Sequence, residues 1–149
     1  MLSQTAEYAL RAVIHLAEHE EDAPVRVGDM ARELGAPRNY LSKILGELVR
    51  AGILSSARGP AGGFRLAVVP GKLTLSRVVS AFDPVPGRRR CLLGRTRCSD
   101  AHPCGAHDRW KSVAEAMTEF FRTTTVADVL TSEDGEESAA LLGMAGARG

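Results

Sequence analysis

The residues best suited to chemistry lie in one short segment: Cys91, Cys98 and Cys104, with His107 close behind. They include all three cysteines of the 149-residue chain, and six, five and two residues separate successive members. Thiolates bind soft metal ions, and imidazole suits iron, zinc or copper. This spacing is wider than the paired C-x2-C pattern of common zinc folds. It therefore favours a loop around a larger group, such as an iron–sulfur cluster. The alternative interpretation is that these are ordinary cysteines that bind no metal, with an odd one left over.

The thiols are expected to be reduced, because the sequence has the features of a cytoplasmic protein. No stretch approaches the roughly 20 apolar residues that a membrane span needs. Residues 1–7 lack the basic and apolar regions of a signal peptide. Structural disulfides are rare in a reducing cytoplasm, which leaves the cysteines for metal or redox chemistry.

Charge is distributed unevenly along a chain that is long enough for one domain. Residues 1–99 carry 15 Lys and Arg against 9 Asp and Glu, whereas residues 100–149 carry 4 against 9. A basic front and an acidic back suit a protein that presents one face to a polyanion.

Helical periodicity dominates the first 50 residues. A first helix is expected from about Ser3 to Glu18. Two further helices meet at Gly35, which suits a helix C-terminus, and Pro37, which suits the start of the next helix, ending at Arg50. Two helices with so tight a junction are typical of a helix-turn-helix.

A wing is expected directly after this unit. Two strand-length runs, 53–58 and 63–69, flank the turn-rich tip Gly59–Gly62. Thr74 then resembles a helix N-cap, and that helix is expected to end near Asp83.

The C-terminal half combines a long loop with a long helix. Segment 84–104 carries the cysteines and few helix or strand signals. A helix is expected over 106–124, with apolar side chains on one face, and a short helix over Val126–Leu130. The long helix exceeds what a small core needs, so we interpret it as a dimerisation helix, although plain core packing would give the same stripe. The apolar stripe comprises Trp110, Val113, Ala114, Met117, Phe120, Phe121 and Thr124.

The predicted fold is therefore mainly α with a small β wing. The winged helix-turn-helix domain covers 1–83, the cysteine-bearing cluster loop 84–104, and the dimerisation helix with its short successor 105–130. Residues 131–149 are rich in Gly, Ala and Glu and are expected to form a disordered tail.

Basic and polar side chains on the second helix of the helix-turn-helix and on the wing form a candidate DNA-binding surface. Arg and Asn at the start of a recognition helix read guanine and adenine in the major groove. The competing interpretation is a merely solvated helix face, but a hairpin does not need the basic excess of residues 38–65. The predicted DNA-binding residues are Arg38, Asn39, Ser42, Lys43, Arg58, Gly62 and Arg65.

Four histidines divide into two pairs. His102 and His107 compete as nitrogen ligands in the cysteine segment. His15 and His19 lie on or just after the first helix, where we expect surface or capping residues.

Several stretches resemble the winged-helix transcription regulators that include IscR, NsrR and RirA. The resemblance covers roughly residues 1–130, and the wing is its most specific part. The matching stretches are Tyr8–Ala12, Asn39–Leu45, Ala51–Leu54, Arg58–Leu66, Leu73–Leu75 and the three-cysteine loop.

This resemblance implies a homodimeric DNA-binding regulator, expected to act as a repressor, with an iron–sulfur cluster in each protomer. Cys91, Cys98 and Cys104 would hold the cluster. The fourth ligand is either His107, which we favour because it lies in the same subunit, or Glu7 of the partner subunit. The cluster type, 2Fe–2S or 4Fe–4S, stays open.

Two rival functions remain. The chain could be a winged-helix regulator that uses zinc or cluster-free thiols, or an iron–sulfur electron-transfer or enzyme subunit. The basic helix and wing argue against the second, and the sequence contains no catalytic acid–base pair or phosphate-binding loop. We therefore predict a non-enzyme that binds double-stranded DNA, with no membrane partner and no small-molecule substrate.

Overall fold

The computed structural model describes residues 2–86, 91–95 and 99–130, and these form a helical domain with one β-hairpin. The elements, in chain order, are α1 (Gln4–Glu18), α2 (Val27–Leu34), α3 (Arg38–Arg50), β1 (Leu54–Ala57), β2 (Gly63–Leu66), α4 (Leu75–Val79), α5 (His107–Thr123) and α6 (Val126–Leu130). Short 3-10 turns cover Glu20–Asp22 and Pro70–Lys72. The predicted fold class, mainly α with a small β wing, is confirmed.

Helix α1 is the centre of the packing. Its start is capped by Ser3, whose Oγ accepts a hydrogen bond from the Ala6 amide at 3.1 Å. The Ser3 amide in turn donates to Asp83 Oδ2 at 2.7 Å, which ties this end to the residues after α4. One face of α1 is fully buried and contributes Ala6, Ala9, Ala12, Val13 and Leu16 to the core.

The junction of α2 and α3 has the predicted helix-turn-helix form. Gly35 ends α2 at φ +63°, a left-handed conformation that glycine adopts without steric cost. Pro37 then precedes α3 instead of forming its first residue, a difference of one position from the expectation. The buried face of α3 consists of Leu41, Ile44, Leu45 and Leu48.

The hairpin is shorter than predicted and is held to α2. β1 and β2 pair antiparallel, with Leu54 opposite Leu66 and Ala57 opposite Gly63. Val25 and Phe64 exchange two backbone hydrogen bonds of 2.9 and 2.8 Å, so the residues before α2 act as a third short strand. The Ala67 amide still donates to the Ile53 carbonyl at 2.9 Å, but the chain then turns toward Pro70, so β2 ends three residues before its predicted end.

The C-terminal helices pack on the same core as the winged domain. Thr74 and Thr125 form a β-bridge, in which the Leu75 amide donates to the Thr124 carbonyl at 2.9 Å. Phe121 of α5 and Val126 of α6 are buried in the main apolar cluster. α5 is therefore anchored at its C-terminal end to the winged domain, so at Phe121 the core packing that the sequence offered as the alternative to a dimerisation stripe is the one observed.

Other boundaries follow the expectations closely. α5 begins one residue later and ends one residue earlier than predicted, and α6 coincides with its prediction. α4 ends at Val79, before the expected end near Asp83, and hydrogen-bonded turns continue to Asp83. The predicted disordered tail, 131–149, and Cys98 lie outside the described residues. No helix in the described ranges is long and apolar enough to cross a membrane.

Candidate nucleic-acid interface and metal centre

The N-terminal half of α3 presents its polar side chains to solvent. Arg38, Asn39, Ser42 and Lys43 are all exposed, while the apolar positions of the same helix face the core. Within the described ranges neither Arg38 nor Lys43 takes part in an ion pair. Both cations are therefore available to an external anion, as a recognition helix requires.

A groove joins α3 to the wing. It has a volume of about 510 Å³ and is bordered by Arg38, the first residues of α2, and the wing residues from Ala57 to Phe64. The packing of α2 and the hairpin thus brings the first residue of α3 and the wing tip to the border of one open cleft. A cleft with a basic rim suits a polyanion.

Backbone geometry fixes the wing tip. Gly62 is buried and donates its amide to the Gly59 carbonyl at 2.9 Å, so this N–H is engaged within the turn. A Cβ on Gly62 would collide with the Ala57 carbonyl, and one on Gly63 would lie 2.5 Å from the Val25 carbonyl oxygen. The predicted DNA contact of Gly62 stays a prediction, but its structural role in shaping the tip is evident.

Arg26, which the sequence interpretation missed, supports the same tip. It precedes α2, and its guanidinium donates a hydrogen bond to the Pro60 carbonyl. Arg58 and Arg65 lie exposed on either side of this supported turn, with Arg65 opposite Ser55 in the ladder. Because Arg26 bonds the tip of the turn, Arg58 and Arg65 project from a backbone that is held in place.

A polar network holds the recognition helix against α1. Arg11 donates to the Leu34 carbonyl at 2.8 Å, and its guanidinium lies 5.1 Å from the centre of the Tyr8 ring. Tyr8 meets Tyr40 edge to face at 5.8 Å, and the Tyr40 hydroxyl shares a hydrogen bond with Thr5. Tyr40 lies in the first turn of α3 beside Asn39, so these contacts fix the orientation of the N-terminal end of α3.

The cysteine loop precedes α5. Cys91 and Cys104 are free, half-buried thiols, and Cys98 lies outside the described residues. Among the described side chains no three ligands of the Cys, His, Asp or Glu type converge on one point. Cys91 and Cys104 are chemically suited to bind a soft metal ion or a cluster. The described residues alone do not assemble such a site.

His107 is built like a metal-ligating histidine. Its side chain is buried, and its Nε2 donates to Asp100 Oδ1 at 2.8 Å. Lys111 holds the same carboxylate oxygen at 3.2 Å. A carboxylate that bonds one ring nitrogen fixes the tautomer and directs the other nitrogen toward a metal. The His107 amide also donates to the Cys104 carbonyl at 3.0 Å, so a backbone turn joins the last cysteine of the loop to the start of α5.

Glu7, the alternative fourth ligand, lies exposed in the first turn of α1. It forms no ion pair within the described ranges. Its carboxylate is thus accessible to a second subunit, as the alternative requires.

Comparison with known proteins gives a consistent result. The family described as Rrf2, iron-dependent transcriptional regulator, matches residues 2–132. An HTH-type transcriptional regulator of Aquifex aeolicus (strain VF5) is 34% identical, over 90% of this chain and 94% of its own. The HTH-type transcriptional regulator IscR of Yersinia pseudotuberculosis (strain IP 31758) is 28% identical, over 89% of this chain and 80% of its own.

The fold is shared with a solved structure as well. CymR of B. subtilis, a global cysteine regulator, superposes with a TM-score of 0.75 at 21% identity, over 90% of this chain and 98% of its own. The named relatives are transcriptional regulators, not enzymes, which agrees with the predicted absence of catalysis. The resemblance inferred from the wing, the recognition helix and the three-cysteine loop is thereby confirmed. The chain belongs to the Rrf2 family of DNA-binding transcriptional regulators.

Proposed function

We propose that the protein is a homodimeric, cytoplasmic repressor whose affinity for a double-stranded DNA operator is controlled by an iron–sulfur cluster. The observation that carries the proposal is the cleft between α3 and the wing, which Arg38 borders, together with the exposed cations Lys43 on α3 and Arg58 and Arg65 on the wing. The cysteine loop leads into α5, and α5 packs on the winged domain. The candidate cluster site is therefore linked to the candidate DNA-binding surface.

DNA contacts divide into two kinds in this arrangement. Arg38 and Asn39, with Ser42, would reach base edges in the major groove, because the first residues of a recognition helix lie deepest there. Lys43 and the wing arginines would contact phosphates, and these contacts contribute affinity without sequence preference. Gly62 would contribute to DNA binding indirectly, by allowing the tight turn that presents the wing tip.

Cys91, Cys98 and Cys104 would hold the cluster, with His107 as the fourth ligand. The buried His107–Asp100 pair supports this assignment, because ligating imidazoles usually donate their other ring N–H to a carboxylate, a carbonyl or water. When bound, the cluster would supply a centre that reacts with oxidants or nitric oxide. Its type, 2Fe–2S or 4Fe–4S, depends on the completed ligand set. The similarity to IscR supports the assignment to the cluster-binding branch.

Paired variants distinguish the two candidate fourth ligands. His107→Gln is expected to weaken cluster binding by more than the roughly 10–100-fold typical of losing only a residue that orients a ligand, because the ligating imidazole itself is removed. Glu7→Gln, on an exposed position, is expected to leave the cluster intact. The measurement is iron and acid-labile sulfide per protomer after anaerobic purification, with circular dichroism to establish that both variants fold. The reverse outcome would assign the fourth ligand to Glu7 of the partner subunit.

The apolar face of α5 supports a homodimer. Among the described residues, Val113 and Phe120 are 50% and 53% exposed, and Leu92 and Leu93 beside Cys91 are exposed as well. Met117, half-buried, lies between the two α5 positions on the same helical face. An apolar stripe of this kind marks an association surface, and two-fold symmetry would match an operator with two half-sites.

Phe120→Glu is expected to weaken the dimer by about 2 kcal/mol or more, roughly 30-fold in dissociation constant. The substitution places a carboxylate where two apolar faces meet. Sedimentation velocity at several protein concentrations would measure the shift toward monomer. Ser112→Glu, which adds the same charge to the polar side of α5, serves as the control. Equal effects of the two substitutions would remove the support for this interface.

Cluster binding would act on DNA through the position of α5. The C-terminal end of α5 is fixed to α4 by the Thr74–Thr125 bridge. Thr118 Oγ1 donates to the Ala114 carbonyl at 2.9 Å and lies 3.4 Å from the Pro86 carbonyl, which places Pro86 against the middle of α5. Loss of the cluster would release the loop between Pro86 and α5 and change how each winged domain lies on the dimer axis. The separation of the two recognition helices would then no longer match the half-site spacing.

A winged-helix regulator with zinc or cluster-free thiols is the second candidate, supported by the free Cys91 and Cys104. An anaerobic ultraviolet–visible spectrum with iron and sulfide analysis separates the two. Visible absorption with acid-labile sulfide supports the cluster, whereas a colourless protein containing zinc or no metal supports the second candidate. A salt titration of DNA binding tests the regulator role itself, because affinity that depends on phosphate contacts falls steeply with salt.

A further inference from the structure

Two histidines at the end of α1 form a stacked pair that the proposed function does not use. His15 and His19 are one helical turn apart, and their ring centroids lie 4.2 Å apart at an interplanar angle of 30°. The expectation that both are surface or capping residues is half wrong. His19 is indeed the C-cap of α1, but His15 is only 5% exposed and belongs to the buried side of the helix.

The surroundings of His15 favour its neutral form. His19 Nδ1 lies 2.8 Å from the His15 carbonyl oxygen, and since a carbonyl only accepts, this nitrogen donates a proton and holds the His19 ring over the His15 ring. Within the described ranges the His15 ring itself makes no hydrogen bond. Burial lowers the pKa of His15, and the neighbouring His19 lowers it further, while Glu33 opposes both effects. A proton on His15 would therefore place a cation where it is poorly solvated.

The pair borders a cavity of about 320 Å³ beside the segment that leads into α2. Asp29 is already paired with Arg32 at 2.9 Å. Asp22 and Glu33 form no ion pair in the described part of the chain, so their carboxylates are available to a cation on His15. The charged and titratable groups that line the cavity beside His15 are His19 at the C-cap of α1, Asp22 and Arg26 before α2, and Asp29 and Glu33 on α2.

The same cavity is lined by the segment on which the wing is seated. Val25 exchanges two backbone hydrogen bonds of 2.9 and 2.8 Å with Phe64 of β2. Arg26 donates to the Pro60 carbonyl at the wing tip, and both Val25 and Arg26 line the cavity. A cation on His15 would attract the available carboxylates and repel the Arg26 guanidinium. A charge at His15 would therefore act on the segment that holds the hairpin.

We propose that the stacked pair is a proton-sensitive element: charging His15 in mild acid loosens segment 22–26 from the wing and so weakens the contact of the wing with DNA. The loosening concerns the fold alone, whereas its effect on DNA rests on the proposed function. The folded domain binds the His15 proton less readily than the unfolded chain does. The stabilising contribution of neutral His15 is therefore present above the ordinary histidine pKa of about 6.5 and is lost as the pH falls below it.

Hydrogen exchange at the wing seat tests the proposal directly. His15→Phe keeps a planar ring beside His19 but cannot be protonated, so it is the comparison for the wild type. The protection of the Val25 and Phe64 amides, corrected for the intrinsic pH dependence of exchange, is measured in both proteins. In the wild type it is expected to fall on the order of tenfold between about pH 7.5 and about pH 5.5, because one linked proton changes an equilibrium by at most about tenfold per pH unit. Parallel profiles in the two proteins would overturn the proposal.

Glu33→Gln tests the sign of the effect in a protein that keeps both histidines. The Glu33 carboxylate favours the charged form of His15, so its removal lowers the pKa of His15 further. The melting temperature of Glu33→Gln is therefore expected to fall more steeply with acid than that of the wild type. Glu20→Gln, which changes an exposed acid outside the cavity, is the matched control and is expected to follow the wild type. Should His15→Phe fail to fold, an identical acid response of these two Gln variants would overturn the proposal by itself.

Operator binding at the same pH values tests the step from the wing to DNA. The ratio of wild-type affinity to His15→Phe affinity is expected to fall in acid, and the ratio cancels other groups that titrate, including His102 and His107. A constant ratio, with protection at Val25 and Phe64 falling, would overturn the coupling to DNA. A wild type that binds no DNA at any pH would instead contradict the proposed function, and the exchange and melting comparisons would still decide whether the pair senses protons.

Discussion

Cys104→Ser protein, purified without oxygen, is expected to be colourless and to contain no acid-labile sulfide. Serine keeps the size of the side chain but replaces a thiolate with a hydroxyl, which does not deprotonate at neutral pH and is a poor ligand for iron. Cys104 is half-buried, and its carbonyl accepts the His107 amide, so the site would lose a ligand at the point where the loop joins α5. The DNA affinity of this variant is expected to be insensitive to oxidants and nitric oxide.

Ala101→Ser is the matched control for this experiment, because it adds a serine side chain to an exposed position three residues away. It is expected to retain the colour, the sulfide and the response of the wild type. Operator binding measured by fluorescence anisotropy, before and after exposure to an oxidant, compares the three proteins. A Cys104→Ser protein that binds its operator and responds as the wild type does would contradict the proposed switch.

The helical framework could be predicted from sequence because its determinants are local. The Ser3 and Thr74 caps, the left-handed Gly35 and the three- to four-residue apolar spacing of α3 each act within a few positions. The wing was also predictable apart from the ends of its strands, since Gly62 and Gly63 leave no room for a side chain and Gly59 has a φ of +95° that favours glycine. Because the apolar spacing identified the buried positions of α3, it also identified its exposed positions.

Contacts between distant segments were not predictable in the same way. Arg11 bonds a carbonyl 23 positions away, and Arg26 bonds one 34 positions away. A lone arginine in an amphipathic helix looks like a solvated charge until the neighbouring element is placed. His15, expected to be a surface or capping residue, is only 5% exposed on the otherwise apolar buried side of α1. Phe121 looked like part of a dimer stripe but belongs to the core.

The proposed cluster ligands could be predicted from residue type, but the contact that orients His107 could not. Three thiols and a histidine within one segment predict soft-metal binding from residue type alone, but residue type does not predict the Asp100 carboxylate that orients His107. Asp100 lies seven positions before its partner, at a spacing that no regular element explains. Only the turn that brings residues 99–106 back against the start of α5 makes the pair.

Lys43→Ala is expected to weaken DNA binding by a similar factor on every sequence. The Lys43 side chain is exposed on α3 and has no ion-pair partner in the described part of the chain, so it is free to neutralise a phosphate. Removing one phosphate-neutralising cation reduces the slope of log affinity against log salt by about 0.9. A dimer in which both protomers lack this cation should therefore show a slope reduced by about two. Binding titrations at several salt concentrations on operator and non-operator duplexes measure both quantities.

Asn39→Ala and Arg50→Ala are the comparison variants for Lys43→Ala. Asn39 is expected to read a base, so its removal should cost ~1–3 kcal/mol at one operator position and leave the salt slope nearly unchanged. Arg50 lies at the far end of the same helix and is paired with Glu47. Its removal takes away the same charge as Lys43→Ala but should change neither affinity nor slope appreciably. If all three variants lose affinity equally on all sequences, α3 acts as a phosphate clamp and the operator is read elsewhere. If only Asn39→Ala changes the preference among sequences, the first turns of α3 recognise the bases of the operator.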